Sequence, residues 1–78
     1  PNPFNPATTI KYSITEPQKV KLIVYSLLGE EIKVLVDESK STGIHSVIFD
    51  ANNLASGIYI YTLLAGNKTS SKKLILLK

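Results

Sequence analysis

Apolar and polar side chains alternate along most of this chain, with the period of two that sends successive side chains to opposite faces of a β-strand. Turn-forming residues interrupt the alternation at short intervals, and no stretch has the spacing of an amphipathic helix. The alternating stretches lie at residues 8–14, 19–25, 31–36, 44–49, 58–64 and 69–77. Six or seven short strands of this kind predict an all-β fold.

The alternation also predicts which side chains face the core. In the second stretch Ile23 and Tyr25 make the opposite face apolar as well, so this strand should be covered on both sides. In this stretch Val20, Leu22 and Val24 are predicted to point inward. The residues expected to share one face in the first, third and fourth stretches are Ile10, Tyr12 and Ile14; Ile32, Val34 and Val36; and His45, Val47 and Phe49.

Glycines stand between the strand patterns and not within them, which is typical of glycine used for turns. They are Gly29, Gly43, Gly57 and Gly66. The polar stretch 37–43 is predicted to be an exposed loop, and Gly66-Asn67 should close a hairpin between the last two strands.

The stretch 54–59, Leu-Ala-Ser-Gly-Ile-Tyr, is typical of the corner of a β-sandwich, where a tyrosine hydroxyl hydrogen-bonds to the backbone a few residues upstream. We expect Tyr59 to make this bond, and Gly29 and Gly57 to fix structural turns. The architecture predicted from strands and corner together is an immunoglobulin-like antiparallel β-sandwich of six to seven short strands.

Length and the opening residues predict the domain organisation. A chain of 78 residues makes one small domain. Pro1, Pro3 and Pro6 stiffen the start of the chain, so residues 1–7 are predicted to be the end of a linker and residues 8–78 the domain. The chain begins with neither methionine nor a signal segment, which indicates a piece of a longer protein. No apolar run is long enough to span a bilayer as a helix.

The amino-acid composition excludes several kinds of binding and catalytic site. The net charge is +3, and all the basic residues are lysines, so the guanidinium groups that dominate phosphate and base recognition are missing and nucleic acid is not an expected partner. The absence of cysteine excludes a thiol nucleophile, a disulfide framework and a cysteine-histidine zinc site. His45 could act as a base with Asp50, but we interpret it as a packing residue. We predict no enzyme activity, no cofactor and no metal.

Two polar clusters have alternative interpretations. Asp50, Asn52 and Asn53 offer oxygen ligands for calcium, although local turn hydrogen bonds explain them more economically. Lysines near the end of the chain could attract an acidic or anionic lipid surface, but they also serve as gatekeepers that protect an apolar edge strand from wrong pairing. These lysines are Lys68, Lys72, Lys73 and Lys78.

Four stretches in order resemble the C-terminal sorting domains of type IX secretion (type A), which are related to the immunoglobulin-like module of flagellar hook-capping proteins. Residues 1–10 look like the opening motif of the family and residues 24–32 like the second motif; residues 54–59 resemble the third, and residues 72–78 the closing strand. Ser26 and Glu30 stand where the family commonly has an aspartate and a basic residue, so no salt bridge is expected across that turn.

The resemblance implies a secretion label that is substrate and not enzyme. The cargo would be the covalently linked upstream domain, and the partners would be the type IX translocon and sortase. Export would lead through the periplasm to the cell surface or the medium, and the sortase would cut upstream of the domain. The residues that the translocon would recognise are Lys72, Lys73, Leu74, Ile75, Leu76, Leu77 and Lys78.

The main alternative is a retained structural or adhesive β-sandwich of a cell-surface protein. In that case exposed apolar residues such as Ile23 or Leu35 would mark a packing surface for a neighbouring domain. A carbohydrate-binding module is less favoured, because most aromatic residues fall on strand faces that should be buried.

Overall fold

A computed structural model describes residues 7–78 as six antiparallel strands in two sheets. The strands are β1 (Ala7–Ile14), β2 (Gln18–Ser26), β3 (Glu31–Lys40), β4 (Gly43–Asp50), β5 (Gly57–Ala65) and β6 (Lys68–Leu76). The predicted all-β sandwich is confirmed. The predicted linker lies outside the described residues except for Ala7, with which β1 begins.

The two sheets differ in width. One has two strands in the order β1-β4, and the other has four in the order β3-β2-β5-β6. The inward side chains of both sheets form one hydrophobic core, as the alternation predicted for β1, β2 and β4. Its buried members are Ile10, Tyr12, Ile14, Val20, Leu22, Val24, Val36, Phe49, Ala51 and Leu76.

Strand β3 departs from simple alternation because it bulges twice against β2. Leu22 pairs with Val36 and Ile23 with Val34, which leaves an extra residue on β3 between the two pairs. A second shift lies between Val24 and Tyr25. The prediction that Ile32, Val34 and Val36 share one face is therefore wrong: Val36 is buried, while Ile32 and Val34 are 36% and 38% exposed.

Strand β3 is also longer than predicted. Its last residues pair with the beginning of β2, so that Lys21 lies opposite Asp37 and Gln18 opposite Lys40. The Nζ of Lys19 reaches Asp37 Oδ1 at 3.4 Å across this pair of strands. The prediction of a loop over residues 37–43 is wrong for residues 37–40, which belong to β3, and for Gly43, which begins β4. Cross-strand hydrogen bonds pair the backbone of residues 37–40 although their side chains are polar.

The outward face of β2 is covered. Ile23 is only 4% exposed, and its cross-strand neighbours on that face are Val34 and Thr62. Leu35 is half-buried and packs against the core. The expectation that Ile23 or Leu35 forms an exposed packing surface is therefore wrong. Ile23 lies on a central strand and is shielded by both flanking strands, and Leu35 is the extra residue at a bulge of β3 and packs against the core.

Candidate recognition surface

The predicted recognition residues occupy the second half of β6 and the two residues after it. β6 pairs with β5 alone, so within residues 7–78 its second edge has no strand partner. Leu76 is buried in the core and Leu74 packs partly against it, which fixes this half of the strand. Ile75 is 62% exposed and Leu77 69% exposed. The strand thus presents apolar side chains next to exposed lysines, Lys72, Lys73 and Lys78.

Lys78 is tied to the turn between β4 and β5. Its backbone N–H donates to Ser56 Oγ at 3.0 Å, and its Nζ donates to the carbonyl oxygen of Asn52 at 2.9 Å. Both acceptors lie far away in sequence but beside β6 in the fold. Leu77 is therefore held between the buried Leu76 and the anchored Lys78, and Ile75 between Leu76 and the half-buried Leu74.

The same turn is braced from β5. The Tyr59 hydroxyl donates to the carbonyl oxygen of Ala55 at 2.8 Å, which is the bond expected for a sandwich corner. Tyr59 lies opposite Leu74 on β6, and Leu54 N–H donates to the Ala51 carbonyl at 3.0 Å within the turn. Gly57 begins β5 with φ +154°. Tyr59 therefore contacts both the turn that holds Lys78, through Ala55, and strand β6, through its pairing with Leu74.

A second turn, between β2 and β3, depends on Gly29. Its φ of +87° lies in the left-handed region that favours glycine, and its N–H donates to the Ser26 carbonyl at 3.0 Å. Ser26 Oγ accepts from the N–H of Glu30 at 3.1 Å. No salt bridge was expected between positions 26 and 30. The turn is instead closed by the hydrogen bond between the Ser26 hydroxyl and the backbone N–H of Glu30.

The histidine and the aspartate considered as a catalytic pair are both engaged in local structure. The half-buried His45 ring stacks on Tyr12 with centroids 5.5 Å apart, and His45 Nε2 donates to the Ser41 carbonyl at 2.8 Å. Asp50 Oδ1 accepts from the Asn52 N–H at 3.0 Å, the local turn bond that the sequence favoured over calcium. His45 therefore packs as predicted, and Asp50 stabilises the turn.

Among residues 7–78, the shifted pKa lies on β3, at the edge of the wide sheet opposite β6. Lys40 donates to Glu38 at 3.0 Å, and this hydrogen bond raises the pKa of Lys40 above its usual value of 10.5. Within residues 7–78, no three side chains of the metal-ligating types His, Cys, Asp and Glu come together. The same part of the chain contains no helix long and apolar enough to cross a membrane.

The sequence did not predict a cleft that opens between the two sheets. It has a volume of about 670 Å³ and lies beside β1, with the inner faces of β5 and β6 among its walls. Lys11, Lys68 and Lys72 line it together with Tyr61 and Leu63. The narrow sheet leaves this part of the wide sheet uncovered. A six-strand pattern carries no information on how the strands divide between two sheets, which is why the cleft was missed.

Comparison with known proteins identifies the family. The sequence model of the family described as "Secretion system C-terminal sorting domain" matches residues 1–77, nearly the whole chain. No curated protein and no solved structure matches the chain. Both the fold and the corner at Tyr59 agree with the resemblance to type IX sorting domains seen in the sequence. The chain therefore belongs to the secretion system C-terminal sorting domains, the family of type IX secretion signals.

Proposed function

We propose that this domain directs an attached cargo protein through the type IX outer-membrane translocon, which recognises the segment Lys72–Lys78. The cargo is the domain covalently linked upstream, and it passes through the periplasm before it reaches the cell surface or the medium. A sortase then cuts upstream of the domain, and the cargo is attached to the surface or released. The domain acts as a substrate of this machinery and performs no catalysis.

The observation that carries the proposal is the family match over residues 1–77. The geometry of β6 supports the choice of segment, because Ile75 and Leu77 are apolar, exposed and held in place by their neighbours. Many proteins bind a partner by adding a strand of the partner to an exposed edge of a sheet.

The proposal is tested by fusing a folded reporter upstream of Pro1. The fusion is expressed in a host that has the type IX apparatus and in the same host without its translocon, and the reporter outside the cell is measured. We expect export only where the translocon is present. A reporter that stays in the periplasm of both hosts, attached to a folded domain, would overturn the proposal and favour a retained structural module.

A pair of matched variants tests the segment. Ile75→Ser changes an isoleucine that is 62% exposed on β6, and Ile48→Ser changes one that is 68% exposed on β4. Both lose a similar exposed apolar surface, so their effects on stability should be similar and small. We expect Ile75→Ser to reduce export and Ile48→Ser to leave it unchanged. Equal export by the two variants would exclude the outward face of β6 from recognition.

Cleavage and anchoring need a separate measurement. The intact mass of the exported cargo, compared with the length encoded by the gene, shows whether this domain has been removed and whether a lipid has been added. We expect the exported cargo to lack the domain. An exported cargo that keeps all 78 residues would contradict the sortase step while leaving the sorting step intact.

A further inference from the structure

The cleft between the sheets lies where one further strand of the narrow sheet would be placed. The narrow sheet ends at β1, while the wide sheet continues past it to β6. The second edge of β4 approaches β3, which places the open side of the narrow sheet at β1. One further strand beside β1 would therefore cover the inner faces of β5 and β6.

We propose that an extended segment of a partner protein, in which acidic and apolar side chains alternate, binds this cleft by adding a strand to the edge of β1. The occupant follows from three properties of the cleft: its edge, its floor and its charge. The cleft shares only Lys72 with the segment Lys72–Lys78. The inference does not depend on which machinery exports the chain.

The edge supplies backbone hydrogen bonds. β1 pairs with β4 along all of its 8 residues, and from Thr8 to Ile14 no strand among residues 7–78 pairs with its other edge. A strand exposes alternate N–H and C=O groups along such an edge, and an incoming extended peptide satisfies them in the manner of β-augmentation. A folded globular ligand or a flexible polysaccharide has no matching row of backbone groups.

The floor of the cleft accepts apolar side chains. Leu22, Tyr61 and Leu63 line it, and the last two are only half-buried although they point towards the core side of the sheet. In an added strand every second side chain would face this floor. The volume of about 670 Å³ lies in the range of well-formed binding clefts and is large enough for a short peptide segment.

The charge of the cleft selects an acidic partner. Lys11, Lys68 and Lys72 line it, and neither aspartate nor glutamate is among its lining residues. A second copy of this chain bound edge to edge would bring two such basic clefts together, so like-charge repulsion disfavours a homodimer. In an added strand whose apolar side chains face the floor, the carboxylates lie on the outward face beside Lys11 of β1, and Lys68 and Lys72 add to the positive potential of the cleft.

The experiment uses the 78-residue chain and a synthetic peptide as long as β1, in which glutamate alternates with valine. Binding is measured at low salt by titration followed with NMR, and amide hydrogen exchange of β1 is measured with and without the peptide. A lysine-valine peptide controls for charge. A second acidic peptide, with proline in place of every other valine, keeps the charge but cannot form a strand. An anionic polysaccharide controls for charge without a peptide backbone.

Two charge-reversal variants locate the site. Lys11→Glu and Lys68→Glu change lysines of the cleft that lie outside the segment Lys72–Lys78. Lys21→Glu makes the same charge change on the outward face of β2 and is the control. All three lysines are exposed, so the variants should fold, and thermal unfolding verifies this. We expect each cleft variant to bind the acidic peptide about tenfold more weakly, and Lys21→Glu to change binding much less.

The proposal predicts that the glutamate-valine peptide binds and protects β1 amides from exchange, and that added salt weakens binding. It is overturned if the acidic peptide does not bind, if the proline-containing peptide or the polysaccharide binds as well, or if β1 amides gain no protection. Equal weakening by Lys21→Glu and by the cleft variants would also overturn it, because net charge alone would then account for the binding.

Discussion

Replacing Tyr59 with phenylalanine removes a single oxygen atom from the corner of the sandwich. The Tyr59 hydroxyl donates to the Ala55 carbonyl at 2.8 Å, and the rest of the side chain packs partly against the core, where phenylalanine packs equally well. The variant therefore isolates one hydrogen bond. Ala55 is exposed, so its carbonyl can bind water when the hydroxyl is lost, and no unsatisfied buried group is created.

The expected loss of unfolding free energy follows from the net contribution of one hydrogen bond to stability. An intramolecular hydrogen bond contributes about 0.5–1.5 kcal/mol to stability, and access of water to Ala55 removes the larger penalty of a buried orphan carbonyl. At about 2.1 cal/mol/K per residue, 78 residues give an unfolding entropy of about 0.16 kcal/mol/K. A loss of about 1 kcal/mol then lowers the Tm by about 6 °C.

Tyr61→Phe is the matched control for this measurement. Tyr61 is on the same strand and faces the same side as Tyr59, but no residue among 7–78 forms a hydrogen bond with its hydroxyl. Both variants are unfolded thermally and in urea, followed by circular dichroism. A Tyr59→Phe variant that is as stable as wild type, or that loses no more than Tyr61→Phe, would refute the assignment of a stabilising role to the corner bond.

Three further predictions concern the core, one turn and one pKa. Phe49 is 1% exposed, so Phe49→Ala should cost about 3–5 kcal/mol and leave a large unfolded fraction in circular dichroism at 25 °C. Gly29→Ala should cost about 1–2 kcal/mol in urea unfolding, because φ is +87°, whereas D-alanine introduced there by synthesis should not destabilise the domain. Because the hydrogen bond that Lys40 donates to Glu38 raises the pKa of Lys40, the contribution of this pair to stability is present below the usual value of 10.5 and is lost as pH rises through the raised pKa. In Glu38→Gln, an NMR titration of the Lys40 side chain should give a lower pKa than in wild type; an unchanged value would contradict the assigned cause.

The faces of the regular strands could be predicted from the sequence because strict alternation fixes which side chains face the core. Ile10, Tyr12 and Ile14 on β1 are all buried for this reason. The method fails on β3, where extra residues at the bulges change which side chains point inward. Val34 is exposed although it precedes the buried Val36 by two residues. Nothing in the local composition of β3 marks these bulges, since they arise from pairing with β2.

In the candidate site, too, contacts between residues close in sequence could be predicted, and contacts between distant segments could not. The Tyr59 bond spans only four residues, and the corner motif was sufficient to predict it. The contacts of Lys78 with Asn52 and Ser56 join distant parts of the chain, so no local pattern could indicate them. The cleft depends on the unequal widths of the two sheets, which is a property of strand order and not of any single strand.

The order of strand pairing has a consequence for how the domain folds. The segment between the paired strands β1 and β4 contains β2 and β3 of the other sheet, and the segment between the paired strands β2 and β5 contains β4 of the other sheet. Only the β2-β3 and β5-β6 hairpins can form from neighbouring segments, and the core forms only when both crossing pairings are made. Non-local pairing of this kind slows folding to about milliseconds to seconds. The β5-β6 hairpin can form early, but Leu76 is buried and Lys78 anchored only after the crossing pairings bring the two sheets together, so β6 reaches its final position in the last cooperative step.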